Sequence, residues 1–298
     1  MGALWMEGAA REVQTAPAGS QTAVELVEAV ELTAGFGVDR RLVHLDVQPD
    51  EPWMGELLGT RAGGGFRSRI DEVAPEGDMA LARQLLDDLP AGALIASYSL
   101  IRLAQRLGHE PATTPPPERI DRLLNTCSGW REGGLAMRSV RACKGVPVQD
   151  CPPATDLAGD DPSGWHPMKP LAPDVMRRRR LVDVVESPGG PVGGGPVTKV
   201  WSMFRDTIGE PGGMEAVLHE YVVRMEARAG LVESIVAEPR VLPFPECPAA
   251  AGAVGALVGV RLEDLPTSAV ERLSGVDCCT HLNDLLRSLG VVTVMCRR

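Results

Sequence analysis

Four segments of alternating apolar residues in close succession constrain this chain more than any other feature. Arg180 to Glu186 (RLVDVVE), Val197 to Arg205 (VTKVWSMFR), Glu215 to Ala227 (EAVLHEYVVRMEA) and Leu231 to Leu242 (LVESIVAEPRVL) carry the two-residue period of half-buried strands. Gly-rich turns separate the first three, and Ala229-Gly230 turns the last pair. Connections this short join antiparallel neighbours, so the pattern predicts an antiparallel β-meander. Helical patterns follow at Pro248–Val258, Leu262–Leu273 and Cys279–Leu289. Strands first and helices after give an α+β class.

The N-terminal half reads as a shorter version of the same plan. Val24 to Leu32 and Arg41 to Val47 alternate around a turn at 35–37 and predict a β-hairpin. Leu81–Leu89 and Gly92–Leu107 predict two helices with Pro90 as the break. Glu118–Cys127 has helical spacing, and His109–Pro117 is proline-rich and loop-like. The expected division is a flexible tail over 1–21, an N-terminal strand-helix half over 22–128, an irregular connecting segment over 129–178 and a site-bearing C-terminal half over 179–298. An irregular segment that long is functional or wraps over something. Leu58-Gly59-Thr60-Arg61 and Val258-Gly259-Val260-Arg261 resemble each other at an offset of 200, as do Leu85–Leu89 and Leu285–Leu289. They suggest two related halves, the first with Met79 and Leu81 where the second has Cys279 and His281.

Composition bounds the function. The 298 residues carry 40 acidic against 30 basic side chains, for a net charge of −10, which argues against a nucleic-acid partner. No apolar run is long enough to span a bilayer, so no membrane association is expected. Seven cysteines with no export signal near the N-terminus read as cytoplasmic thiols. Phosphate-binding glycine loops, a G-x-S-x-G elbow, H-E-x-x-H and C-x-x-C are all missing, so no nucleotide cofactor is expected.

Four short motifs in the C-terminal half could carry chemistry: Met203-Phe204-Arg205-Asp206, His219-Glu220-Tyr221, Pro243 to Pro248 (PFPECP), and Cys279 to Asp284 (CTHLND). Cys247 and Cys279 each sit at a predicted helix start, where the helix dipole favours thiolate. With His281 and His219 they form a scattered candidate metal set of the donor types zinc prefers. The alternative is two buried cysteines and a capping histidine. His219 and Tyr221 share one strand face and Glu220 looks the other way. Glu220 is a candidate proton shuttle, or else pairs with Arg205 across the sheet. Arg205 and Asp206 read as anchor and base, or as a strand-end ion pair, and Tyr221 as a hydrogen-bond donor. The run Arg177–Arg180 reads as a solvated strand approach rather than an anion grip. Trp165-His166-Pro167 and Cys127-Ser128-Gly129-Trp130 could line a pocket mouth.

Taken in order, MFRD, HEY, PFPECP and CTHLND resemble the bacterial family named domain of unknown function 2889, from about Leu26 to Leu289. That resemblance implies a small-molecule enzyme, with an aromatic-acid or polyketide-like carbonyl substrate. The C-terminal half also resembles the NifU and IscU type of iron–sulfur scaffold, through Glu246–Ala250, Val258–Glu263 and Cys279–Leu282. That likeness implies metal ligands at Cys247, Cys279 or His281, and near His219 or Glu220. The scaffold's hairpin cysteine is replaced by His219-Glu220, which suits a retained zinc better than a cluster in transit. The expectation is a redox-neutral lyase, cyclase or hydrolase, with zinc assistance as one form of it. The alternatives are a metal-free acid–base enzyme or ligand-binding protein, and a non-catalytic metal or iron–sulfur carrier. Oligomeric state is open.

Overall fold

The computed structural model describes residues 4–15, 24–75, 79–108, 117–148, 150–159, 161, 163–189 and 194–297. The predicted loop over 109–116 lies outside them. The chain divides into two compact units, Met1–Tyr98 with Leu157–Pro167, and Ser99–Asp156 with Met168–Arg298.

The first unit is built on strands β1 (Leu4–Thr15), β2 (Val24–Phe36) and β3 (Leu42–Gln48), in the order β1-β2-β3. The β2–β3 pair is the predicted hairpin. The expected tail is not one: Leu4–Thr15 pairs along β2 in an antiparallel ladder. Its alternation of Met6, Gly8 and Ala10 with Trp5, Glu7 and Ala9 is a strand period that small residues disguise. A 3-10 helix (Pro52–Leu57) and helix α1 (Phe66–Val73) follow. Helix α2 runs unbroken from Ala80 to Arg106 through Pro90, so the predicted break does not occur. Proline removes one hydrogen bond at a cost of about 3 kcal/mol. The packing of Leu86, Leu89 and Ala93 into the first unit's core spans that position. The boundary between units falls inside this helix, not at 128.

The second unit begins with the end of α2 and helix α3 (Pro117–Asp121), shorter than its sequence spacing predicts. The irregular segment contains helix α4 (Leu135–Arg141), and its last residues start a strand. Strands β4 (Met176–Ser187), β5 (Val197–Gly209), β6 (Glu215–Arg228) and β7 (Leu231–Val241) form the predicted meander in sequential order. A 3-10 helix (Cys247–Leu257), α5 (Leu265–Arg272), α6 (Thr280–Ser288) and the short α7 (Val292–Met295) follow. Leu282, Leu285 and Leu286 of α6 are fully buried in a core shared with Phe204, Tyr221 and Val223.

One local structure occurs in both units. The Gly59 N–H donates to the Leu42 carbonyl, the Leu42 N–H to Thr60, and the Ala62 N–H to Arg40. The same three bonds run from Gly259 to Val232, Val232 to Val260, and Leu262 to Gly230. Gly59 and Gly259 have φ of 81° and 82°, a region that glycine enters without steric cost. The bulges correspond too: Glu12 opposes Glu28 at the irregularity between β1 and β2, as Asp206 opposes His219 at that between β5 and β6.

Candidate functional site

β5 is one of the two inner strands of the second unit's sheet, and from Ser202 onward both its faces are buried. Each face carries one row of charged side chains, set by the antiparallel register. On the α6 face, Arg178 of β4 lies opposite Asp206 of β5, which lies opposite His219 of β6. On the other face the row is Arg179, Arg205 and Glu220. Strand alternation therefore separates Arg205 from Asp206 and Glu220 from His219.

The α6-face row is tightly connected. Asp206 is fully buried and accepts two bonds from Arg178, Nε to Oδ1 at 2.8 Å and Nη2 to Oδ2 at 2.9 Å. Its Oδ2 also lies 3.0 Å from His219 Nδ1. Arg178 Nη1 continues to Asp284 of α6 at 2.8 Å. Burial opposes ionisation of Asp206, but the Arg178 guanidinium outweighs it and holds the carboxyl well below the usual carboxylate range. The ionised Asp206 fixes His219 with its proton on Nδ1, leaving Nε2 as the basic nitrogen. His281 stacks on His219 with ring centroids 3.8 Å apart and planes 25° from parallel. Burial, then the neighbouring His219, pushes His281 down to about 3, so its ring is neutral. His281 is nevertheless partly exposed, unlike Asp206 and His219.

Ligand-capable atoms of Asp206, His219 and His281 lie within 4.8 Å of one another, the one such group among the described residues. Two features work against a shared metal in this arrangement. Asp206 is already engaged three times. A metal about 2.1 Å from each ring nitrogen would have to lie near both ring planes, and nearly parallel rings 3.8 Å apart do not meet so close. One ring would have to turn.

Of the two candidate cysteines, Cys279 touches this group and Cys247 stands apart from it. The Cys279 thiol reaches His281 Nδ1 at 3.8 Å, but Cys247 packs with Phe244 and Ala136. Burial pushes the Cys279 thiol up, the Cys247 thiol up to about 12 and the Cys278 thiol up to about 11. The expected thiolates are thus neutral thiols in an apolar core. The reason lies in the caps: Cys247 is the first residue of a 3-10 helix, and Cys279, the cap of α6, makes no side-chain capping bond. Desolvation then outweighs the dipole. Tyr221, two residues beyond His219 on the same face, is fully buried. Its hydroxyl lies against the Cys279 thiol without reaching hydrogen-bond geometry and has no other partner among the described residues. Burial pushes its phenol well above the ordinary value, so it remains a donor.

Across the sheet, Arg205 Nε donates to Glu220 at 2.5 Å, and its Nη1 and Nη2 go to Thr155. Arg240 reaches the second Glu220 oxygen at 3.3 Å. The irregular segment covers this face, with Ala154 and Val217 exchanging backbone bonds with Glu215 and Pro152. Glu220 and Arg205 are therefore partners of each other, the bland reading of the pair. The arginine run is neither solvated nor a free anion grip. Arg177 and Arg179 bind Glu215, Arg178 binds Asp206 and Asp284, and Arg180 binds the Asp284 carbonyl. Trp165 and His166 fall in the first unit.

Arg178 and Asp284 are the site residues that the sequence reading passed over. Asp284 stands three residues after His281, on the same helix face. Arg178 stands two before Arg180 on the strand face that Asp206 shares. Both signals were present, but the arginine run hid one and the cysteines drew attention from the other.

No curated protein and no solved structure matches this chain. Residues 176–295 match the model of a family described as "Protein of unknown function (DUF2889)". The match begins at the first residue of β4 and runs beyond α6, so the family likeness is shown for this stretch rather than from Leu26, and it does not extend to the NifU and IscU scaffold. From β4 to the C-terminal helices, the chain is similar to the DUF2889 family.

Proposed function

We propose that the second unit is a small-molecule enzyme performing a redox-neutral acid–base step, of lyase, cyclase or hydrolase type, on a carbonyl-containing substrate. The observation that carries this reading is the buried row Arg178–Asp206–His219. Arg178 keeps Asp206 ionised, Asp206 orients the His219 ring, and His219 Nε2 takes or returns the proton. Tyr221 supplies a buried hydroxyl, protonated and without a strong acceptor, for an oxygen that gains charge during the step. His281, the partly exposed member, marks the side from which a substrate reaches the row. Glu220, Arg205 and Arg240 support the sheet from its other face.

The test is turnover of the purified protein on a panel of activated esters, acyl thioesters and β-hydroxy carbonyl compounds. His219→Gln and Asp206→Asn should each lower kcat/KM by about 10²–10⁴-fold, and Glu220→Gln by far less. Turnover that survives His219→Gln would sink the reading.

The grouping of Asp206, His219 and His281 favours a second reading, in which zinc or a related ion binds there after His281 turns. About one equivalent of metal on elemental analysis, lost in both His219→Gln and His281→Gln but kept in Cys247→Ser, would support it. A carrier of iron–sulfur clusters requires accessible thiolates, and the burial of Cys247 and Cys279 gives that alternative no support.

A further inference from the structure

We infer that β1 is the docking edge for a second copy of this chain, through antiparallel pairing of β1 with β1 about a two-fold axis at Ala9. The internal repeat raises the question. β1 corresponds to β5, and β5 has β4 on its far side along twelve paired positions. β1 pairs with β2 alone, and no other strand pairs with it among the described residues. An edge of this length presents a row of backbone donors and acceptors that templates another strand.

The occupant follows from the sequence of the edge. A two-fold axis at Ala9 sets Trp5 opposite Val13, Glu7 opposite Arg11, and Gly8 opposite Ala10 of the second copy. Two Glu–Arg pairs then form across the axis, small residues occupy its centre, and an exposed tryptophan gains an apolar neighbour. Trp5 is 60% exposed, and Glu7 and Ala9 are exposed on the same face. Moving the axis to Gly8 or to Ala10 would set Glu7 against Ala9 or Val13 and lose both ion pairs, so charge selects the register. Arg11 uses Nη2 for both of its bonds to the carbonyls of Ser163 and Trp165, which leaves Nη1 without a bond among the described residues. A partner carboxylate is thus compatible with its present role. The pairing is isologous and closes on itself, so it gives a dimer and not a fibre.

Sedimentation velocity over a dilution series tests this directly on the full chain. The expected result is a dimer whose Kd weakens about tenfold or more in Glu7→Arg, because two attractive pairs become repulsive ones. Arg11→Glu should weaken it similarly, and the double charge reversal should restore it. Since Arg11→Glu also removes the bonds to 163 and 165, a second measurement avoids that residue. Ala9→Cys should form an intermolecular disulfide under mild oxidation, since residues facing each other across an antiparallel pair lie about 4.5–5.5 Å apart, within disulfide reach. Glu7→Cys should not, because its two copies lie four residues apart along the strands. A monomer at every concentration overturns the inference. So does a dimer that tolerates Glu7→Arg and leaves Cys at position 9 unlinked, since its interface then lies elsewhere.

Discussion

Acidification from neutral pH to about pH 4.5 should destabilise the protein through His281. Its ring is held down to about 3 by burial and by His219, whereas an unfolded histidine titrates near 6.5. As pH falls below about 6.5, the unfolded chain binds a proton at this position that the folded chain refuses, so stability drops with pH. The loss is absent above that value and accumulates as pH descends toward 3. At pH 4.5 the full difference is worth about 2.7 kcal/mol, and the partial exposure of the ring reduces it to about 2 kcal/mol. Asp206 does not interfere in this window. Its folded value is depressed, so its contribution is complete above about pH 3.9 and is lost only below that. Urea unfolding of the wild type and of His281→Asn, at steps from pH 7.5 to 4.5, isolates the effect. The variant loses the stack with His219 and starts less stable, but its stability should fall less steeply by about 2 kcal/mol over the range. Parallel profiles for the two proteins would refute the assignment of a neutral, desolvated His281.

Glu220→Ala should cost about 3 kcal/mol, the lower end of the range for breaking a buried pair, because Thr155 still satisfies part of Arg205; chemical denaturation reads it. Gly59→Ala and Gly259→Ala should each cost about 1–2 kcal/mol of backbone strain, by similar amounts, since neither meets an atom within 4 Å of the added carbon. A large difference between the two would show that the turns are not equivalent. Exposed Cys143 should react with a thiol reagent at neutral pH well before Cys127, Cys247, Cys278 and Cys279, and mass spectrometry of the labelled peptides checks the order. Early labelling at Cys279 would contradict its burial.

The legibility of the chain differed between its levels. The meander was readable because each of its strands alternates strongly and the turns between them leave no room for crossovers. The turn common to both units was readable in four residues around Gly59 and Gly259, because a left-handed turn demands glycine there. β1 was not readable as a strand, since Gly8, Ala9 and Ala10 carry little hydrophobic contrast. α2 hid its continuity behind Pro90, a local penalty that core packing along the whole helix overrides.

At the site, the sequence by itself determined that His219 and Tyr221 share one face and that Glu220 lies on the other, because strand parity is a property of the backbone. It also placed His281 at a helix start, but it ended β5 at Arg205, whereas the strand continues through Asp206 to Gly209. What brings them together belongs to the tertiary structure. Register set Arg178, Asp206 and His219 in one row, and the docking of α6 laid His281 on His219 and Asp284 on Arg178. Desolvation by that same packing turned the predicted thiolates of Cys247 and Cys279 into neutral thiols. Residue spacing encodes which face a side chain takes. The ionisation of a side chain depends on which charges and how much water surround it, and only the folded chain decides that.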